Sequence, residues 1–175
     1  MEDINPIAFY TATILEWKHL LKNDKYKQII IDSLKFCVTE NRVKIFGFVL
    51  MPNHIHLLWS MIPGMKQEDV QRNFMKFTAQ QMKFDLQKND TEYLQKFKVA
   101  AVDREYQIWE RLPRSFECYS REMVSQKLNY IHNNPCHEKW KLADVPENYK
   151  YSSAKFYLSG ADDWGFLTNY ADYYD

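Results

Sequence analysis

Two β-forming runs, residues 42–50 and 54–60, are joined by nothing longer than Met51-Pro52-Asn53. Parallel strands need a crossover of a dozen or more residues, so so short a link returns the chain antiparallel, as a hairpin. Pro52 fixes φ and Asn53 tolerates turn geometry, which suits both to that link. Side chains alternate along a strand. In the second run Ile55, Leu57 and Trp59 therefore share one face, and His54, His56 and Leu58 share the other. The apolar triplet is the natural core face. The two histidines then stand roughly 6.6 Å apart along the strand on the opposite face. Two neutral imidazole nitrogens at that spacing can converge on one divalent cation, provided a third ligand comes from elsewhere.

The rest of the chain supplies partners for this hairpin. Residues 6–15 are rich in β-formers and read as a first strand. Residues 25–40 read as a helix, with Ile29, Ile30, Leu34, Cys37 and Val38 on its apolar stripe and Asn41 at its end. Pro63-Gly64 breaks the chain. A long helix is expected over 67–88, with Val70, Phe74, Phe77, Gln81 and Phe84 near one stripe and Lys66, Arg72, Lys76, Lys83 and Lys88 along it. Residues 98–102 read as a short strand, and 109–119, aromatic, charged and interrupted by Pro113, as a loop. Ser120 is a good N-cap for a helix that runs to about residue 134, where Pro135 disfavours helical geometry in the residue before it. A short element is expected at 152–158, and Trp164, Phe166 and Leu167 as anchors for the C-terminal segment. The order β, α, β, β, α, β, α fits an α+β fold of ferredoxin-like type, an antiparallel sheet backed by helices.

The last helix completes the candidate site. Gln126, Tyr130 and Asn134 follow one another at four-residue steps and share one side, while Met123, Leu128 and Ile131 lie off it and can hold the helix to the core. A helix that offers Gln, Tyr and Asn to a strand that offers two His makes a metal site with a phenol beside it. A cation there would stabilise the phenolate, making the phenol a usable nucleophile, and would polarise a phosphodiester oxygen.

Composition narrows the classes. At 175 residues and 46% hydrophobic, the chain is expected to form one domain with a substantial core. No run approaches the ~18 apolar residues of a membrane span, and the N-terminus carries no secretory pattern. Cys37, Cys118 and Cys136 are odd in number and widely spaced, as expected of cytoplasmic thiols. Lys plus Arg and Asp plus Glu are 23 each, unlike a generally basic nucleic-acid protein. The balance is uneven, however. Residues 161–175 hold four aspartates and no basic side chain, which leaves the first 160 residues at +4 and reads as an acidic tail after a core of about 6–158.

Met51-Pro-Asn-His-Ile-His-Leu-Leu-Trp59, then Asn129-Tyr-Ile-His-Asn-Asn-Pro135, then Tyr151-Ser-Ser-Ala154, resembles the HUH single-tyrosine transposases. The nearest branch is the insertion-sequence-200-like group that includes the REP-associated tyrosine transposases. The resemblance implies a ferredoxin-like palm with His54 and His56 binding Mg²⁺ or Mn²⁺. It implies Tyr130 as the nucleophile that cuts and rejoins single-stranded or hairpin DNA through a 5′-phosphotyrosine link, and Asn134 at the position of a polar third ligand. It also implies a homodimer, as in many members. The sequence departs from relatives in its neutral charge and in Cys-His-Glu-Lys-Trp after Pro135.

Several roles stay open at this level. Asn134 reads as a ligand or as a helix cap. Gln126, His132 and Asn133 read as DNA contacts, the last two alternatively as caps. Trp109 and Arg111 read as a stacking platform and a phosphate contact, or as packing. Three functions compete: the transposase, a domesticated relative that binds DNA or RNA hairpins without cutting, and a zinc hydrolase. The last lacks an Asp or Glu at a convincing spacing.

Overall fold

The computed structural model describes residues 5–175. Its sheet has the order β2-β3-β1-β4, all antiparallel, built from β1 (Ile7–Thr13), β2 (Val43–Leu50), β3 (His54–Met61) and β4 (Arg114–Cys118). Helix α1 (Asp24–Thr39) links β1 to β2, and α2 (Gln67–Asn89) follows β3. This is the ferredoxin-like arrangement. One addition matters for the site: α4 (Arg121–Asn133) lies on the sheet face that α1 and α2 leave open.

Alternation in the strands builds the two layers. Ala8, Tyr10, Ile55, Leu57 and Trp59 face the core shared with α1 and α2. Ile7, Phe9 and Leu58 face α4, which contributes Val124, Leu128 and Ile131. A β-bulge between Ile45 and Gly47 adjusts β2 to this second layer. Phe46 turns to the α4 side, and Gly47 next to it also meets α4. A side chain at Gly47 would overlap Leu128 Cδ1, so the helix approaches the sheet closely only because none is there.

Helix ends follow local chemistry. The Asn23 side chain accepts from Lys25 N to start α1, and the Ser120 side chain accepts from Met123 N to start α4. The stripe on α2 differs from the sequence expectation. Val70, Phe74, Thr78, Met82 and Leu86 are buried, whereas Phe77 and Phe84 are about half exposed. Two aromatics seven residues apart suggested the wrong side; Thr78 is fully buried at the centre of the true stripe, and its hydroxyl bonds back to Phe74 O.

The fourth strand is also elsewhere than expected. Residues 98–102 form only an isolated bridge, Lys98 with Tyr106, after a short helix α3 (Thr91–Gln95). The strand is 114–118, inside the segment read as a loop, and it pairs with β1 from Ile7↔Cys118 to Thr11↔Arg114. As an edge strand with Ser, Glu and Arg on it, it lacks the apolar alternation that marks a central strand.

The outer edge of β2 is closed by later chain. Leu50 N donates to Tyr151 O, Ser153 N to Phe48 O, Phe48 N to Ser153 Oγ, and Thr168 N to Ile45 O. This explains the Tyr151-Ser152-Ser153 motif: it caps an edge strand. Helix α5 (Ala154–Ser159) follows it, and the chain ends in α6 (Ala171–Tyr174). Residues 161–175 are no loose tail. Phe166 is buried in the first layer, and Tyr170, Tyr173 and Tyr174 pack on the second. Among the described residues, three of the four aspartates have partners. Asp162 accepts from the backbone of Trp164, Gly165 and Leu167; Asp163 pairs with Lys155 and Asp175 with Arg121.

Candidate nucleic-acid processing site

His54 and His56 face α4 with ring centroids 4.8 Å apart, both nearly buried. Each is oriented through Nδ1. Asn53 Nδ2 donates to Trp17 O at 3.3 Å, which turns its Oδ1 toward His54 Nδ1 at 2.7 Å. Asn53 Oδ1 can only accept, so that bond places the His54 proton on Nδ1 and leaves Nε2 with a lone pair. At His56, Thr11 Oγ1 lies 2.7 Å from Nδ1, and β1 is in register to put it there, Thr11↔His56. When Thr11 accepts from Nδ1, the His56 Nε2 lone pair is available in the same way.

Asn134 sits just past α4, buried, with Oδ1 3.2 Å from His54 Nε2. Two acceptor atoms thus face one another. A cation shared between them resolves that opposition, and adjacent ligands of an octahedral Mg²⁺ at ~2.1 Å stand roughly 3.0 Å apart. The donor set of two imidazoles and one amide oxygen therefore fits a divalent cation. Among the described residues, no group of three or more His, Cys, Asp or Glu forms another. Asn134's side chain does not cap the helix: its one close polar contact among the described residues is His54 Nε2.

Burial keeps both imidazoles neutral at neutral pH, as ligands must be. It pushes His54 down to about 4, against the Asn134 contact and with Lys139 adding to it. It pushes His56 down to about 3, helped by His54 and Lys127.

Tyr130 is on α4 beside this pair. Its ring is 5.6 Å from His56 and 6.3 Å from Phe9, edge-on to both, and about half exposed. Phe9 in turn stacks on His56 at 5.2 Å. Lys127, one turn before Tyr130, holds its ammonium over Phe9, Phe116 and Tyr130 at 5.4, 5.3 and 6.0 Å. A cation, an exposed phenol and two imidazoles thus share one opening. A hollow of about 710 Å³ lies elsewhere, between α2 and residues 103–113.

Other expected contacts do not join this group. Trp109 is buried in the first layer with Nε1 donating to Thr78 Oγ1, so it offers no face for stacking. His132 is buried too, its Nε2 2.7 Å from Ser153 Oγ, tying α4 to the β2 edge rather than to a ligand. Gln126 is exposed beside Ser125, Asn129 and Tyr170. Four-residue steps drift about 40° round a helix, so Gln126 has rotated away by roughly 80° from Asn134. Asn133 is exposed and bonds back to Asn129 O, and exposed Arg111 pairs with Asp103 across the large hollow. Sequence reasoning missed Thr11, Asn53, Lys127 and Trp140, the last 5.9 Å from His54. Lys127 was legible as a neighbour three residues before Tyr130; Thr11 needed the strand register.

His132 gives an acid-stability prediction that no ligand role complicates. Burial pushes it down to about 4 from an ordinary value near ~6.5. The unfolded chain binds the proton first, so stability is full above pH ~6.5 and falls as pH drops toward 4. On the order of 3 kcal/mol is at stake. Urea midpoints between pH 7 and 4 should fall less in His132→Gln than in the parent.

The chain belongs to the family described as "Transposase IS200 like", whose model matches residues 13–134. Its fold is similar to that of a REP-associated tyrosine transposase solved bound to a REP hairpin, with TM-score 0.65, 13% identity, and 97% of this chain and 89% of that one covered. A second solved chain, a proposed transposase from Deinococcus radiodurans R1, aligns at TM-score 0.47 and 17% identity over 73% of this chain and 90% of its own. No curated protein matches the sequence. Among the described residues no helix is long and apolar enough to cross a membrane.

Proposed function

We propose that this transposase, acting as one catalytic domain over its whole length, cuts and rejoins single-stranded DNA beside a hairpin, through Tyr130. The observation that carries the reading is the convergence of His54 Nε2 and Asn134 Oδ1 at 3.2 Å next to His56, with the Tyr130 ring 5.6 Å from that imidazole. His54, His56 and Asn134 would hold Mg²⁺ or Mn²⁺, and the cation, when bound, supplies polarisation of a phosphodiester oxygen.

The chain's own residues do the rest. Asn53 and Thr11 fix both imidazoles through Nδ1. Lys127 places positive charge beside Tyr130, where a phosphate must enter. Tyr130 Oη attacks phosphorus. The Oη–P bond forms as the P–O3′ bond breaks, the phenolic proton leaves to solvent, and the released 3′ oxygen takes up a proton. The DNA's 5′ phosphate remains on Tyr130. Attack by a 3′-hydroxyl on this link reverses the step and joins strands. We place this activity in the cytoplasm, in keeping with three cysteines that are all free.

The test is direct. DNA hairpins with single-stranded extensions, incubated with the protein and Mn²⁺, should yield a covalent adduct resistant to denaturation, and peptide mapping should put the nucleotide on Tyr130. Hairpin binding with no adduct under Mg²⁺ or Mn²⁺ would instead identify a non-cleaving binder.

A further inference from the structure

A hollow of about 230 Å³ adjoins the histidine pair on its β1 side. Its floor is Thr11 and Thr13, the β1 residues paired with His56 and His54. Arg114, opposite Thr11 on β4, Leu112 and Pro113 also line it, as does Glu110, whose carboxylate accepts from Glu16 N. Trp17 closes it and remains 61% exposed, with its ring 6.4 Å from that of His54.

The exposure of Trp17 is built in. Glu16 and Trp17 both hold positive φ, 53° and 57°, a conformation that non-glycine residues rarely adopt. Two such residues in succession persist only where the surroundings hold them. Here Ile14 N donates to Asn53 O, Leu15 N to Ile108 O, and Trp17 N to Ile14 O. Glu16 N donates to Glu110 Oε1, and Trp17 O accepts from Asn53 Nδ2. The last bond joins the turn to the residue that orients His54. The turn presents the indole to solvent beside the site. Leu112, in the lining, also has positive φ, 58°, and is 90% exposed.

We propose that this hollow takes one unstacked base of the single-stranded DNA next to the bond that is cut. The base stacks on Trp17 against Leu112, the threonine hydroxyls meet its polar edge, and Arg114 contacts the adjoining phosphate. The occupant follows from the chemistry. A flat aromatic platform, hydroxyls and a guanidinium suit a nucleotide, and stacking on an aromatic is how proteins hold unpaired bases. The inference rests on the DNA-cutting reading of the neighbouring site, but its test does not need cutting.

Tyr130→Phe protein is titrated with a DNA hairpin carrying a single-stranded extension, with 2-aminopurine at successive positions of the extension. One position should be quenched strongly on binding. In the Trp17→Ala, Tyr130→Phe protein that quench should vanish and affinity should fall about 5- to 150-fold, the range of one base–aromatic stack. Trp17→Phe should restore most of it and Trp17→Leu should not, which separates stacking from apolar packing. Arg114→Gln should lower the salt dependence of binding by about one ion. Unchanged affinity and quench in Trp17→Ala, equal behaviour of the Phe and Leu variants, or no binding of any probe would each overturn the proposal. Quenching at Trp17 in a protein that forms no adduct as wild type would sink the cutting reading and leave the stacking of an unpaired base on Trp17 standing.

Discussion

Tyr130→Phe is expected to abolish the covalent DNA adduct while leaving DNA binding and metal binding intact. The substitution removes one oxygen. The ring that contacts His56 and Phe9 edge-on is kept, and so is the Lys127 ammonium over it. The side chain is about half exposed, so the phenol's loss leaves no buried polar group unpaired. Stability should therefore change by less than about 0.5 kcal/mol. Nucleophile removal typically lowers the rate of a covalent step by ~10⁴-fold or more. The check is single-turnover adduct formation on a denaturing gel, beside melting temperature and hairpin affinity. Adduct at parent yield in the Phe variant would mean that another of the 12 tyrosines is the nucleophile.

His56→Ala should cost the site its metal and strand cleavage together. His56 is the imidazole that stands between His54 and Tyr130: 4.8 Å from His54 in one direction and 5.6 Å from the Tyr130 ring in the other. Loss of one ligand of three should weaken Mn²⁺ binding by ~10- to 100-fold or more, since removal of an outer partner alone costs that much. Cleavage should fall by at least the same factor. Alanine also leaves a void beneath Phe9, which stacks on the ring at 5.2 Å, so folding must be controlled. His56→Gln fills the space with a poorer ligand and should fold like the parent yet bind Mn²⁺ weakly. Calorimetric titration with Mn²⁺, read against melting temperature, separates the two effects. Thr11→Val offers a further check, because it removes the hydroxyl on Nδ1 and no ligand. Parent-like Mn²⁺ affinity in His56→Gln would remove His56 from the ligand set.

Much of this was legible in the chain. The hairpin followed from the length of its link, the histidine face from strand alternation, and the tyrosine helix from Ser120 and Pro135. The errors have local causes. β4 is an edge strand with polar residues, and no periodicity separates it from a loop. Trp109 and His132 looked available because side-chain type says nothing about depth; Thr78 and Ser153 give each a buried partner from a distant segment. Phe77 and Phe84 drew the α2 stripe to the wrong side, since hydrophobicity marks what can be buried and only packing decides what is.

Sequence by itself therefore determined the class of fold, the pairing of His54 with His56, and a tyrosine on a helix ending at a proline. These depend on spacings of two to four residues along one element, which backbone geometry alone converts into a face. Tertiary structure decided the rest. It set Asn134 against His54 across 80 positions of chain, oriented both imidazoles through Asn53 and Thr11, and turned Trp17 toward the site. Such contacts depend on register and on how closely α4 can approach Gly47, and no periodicity within a single segment encodes either.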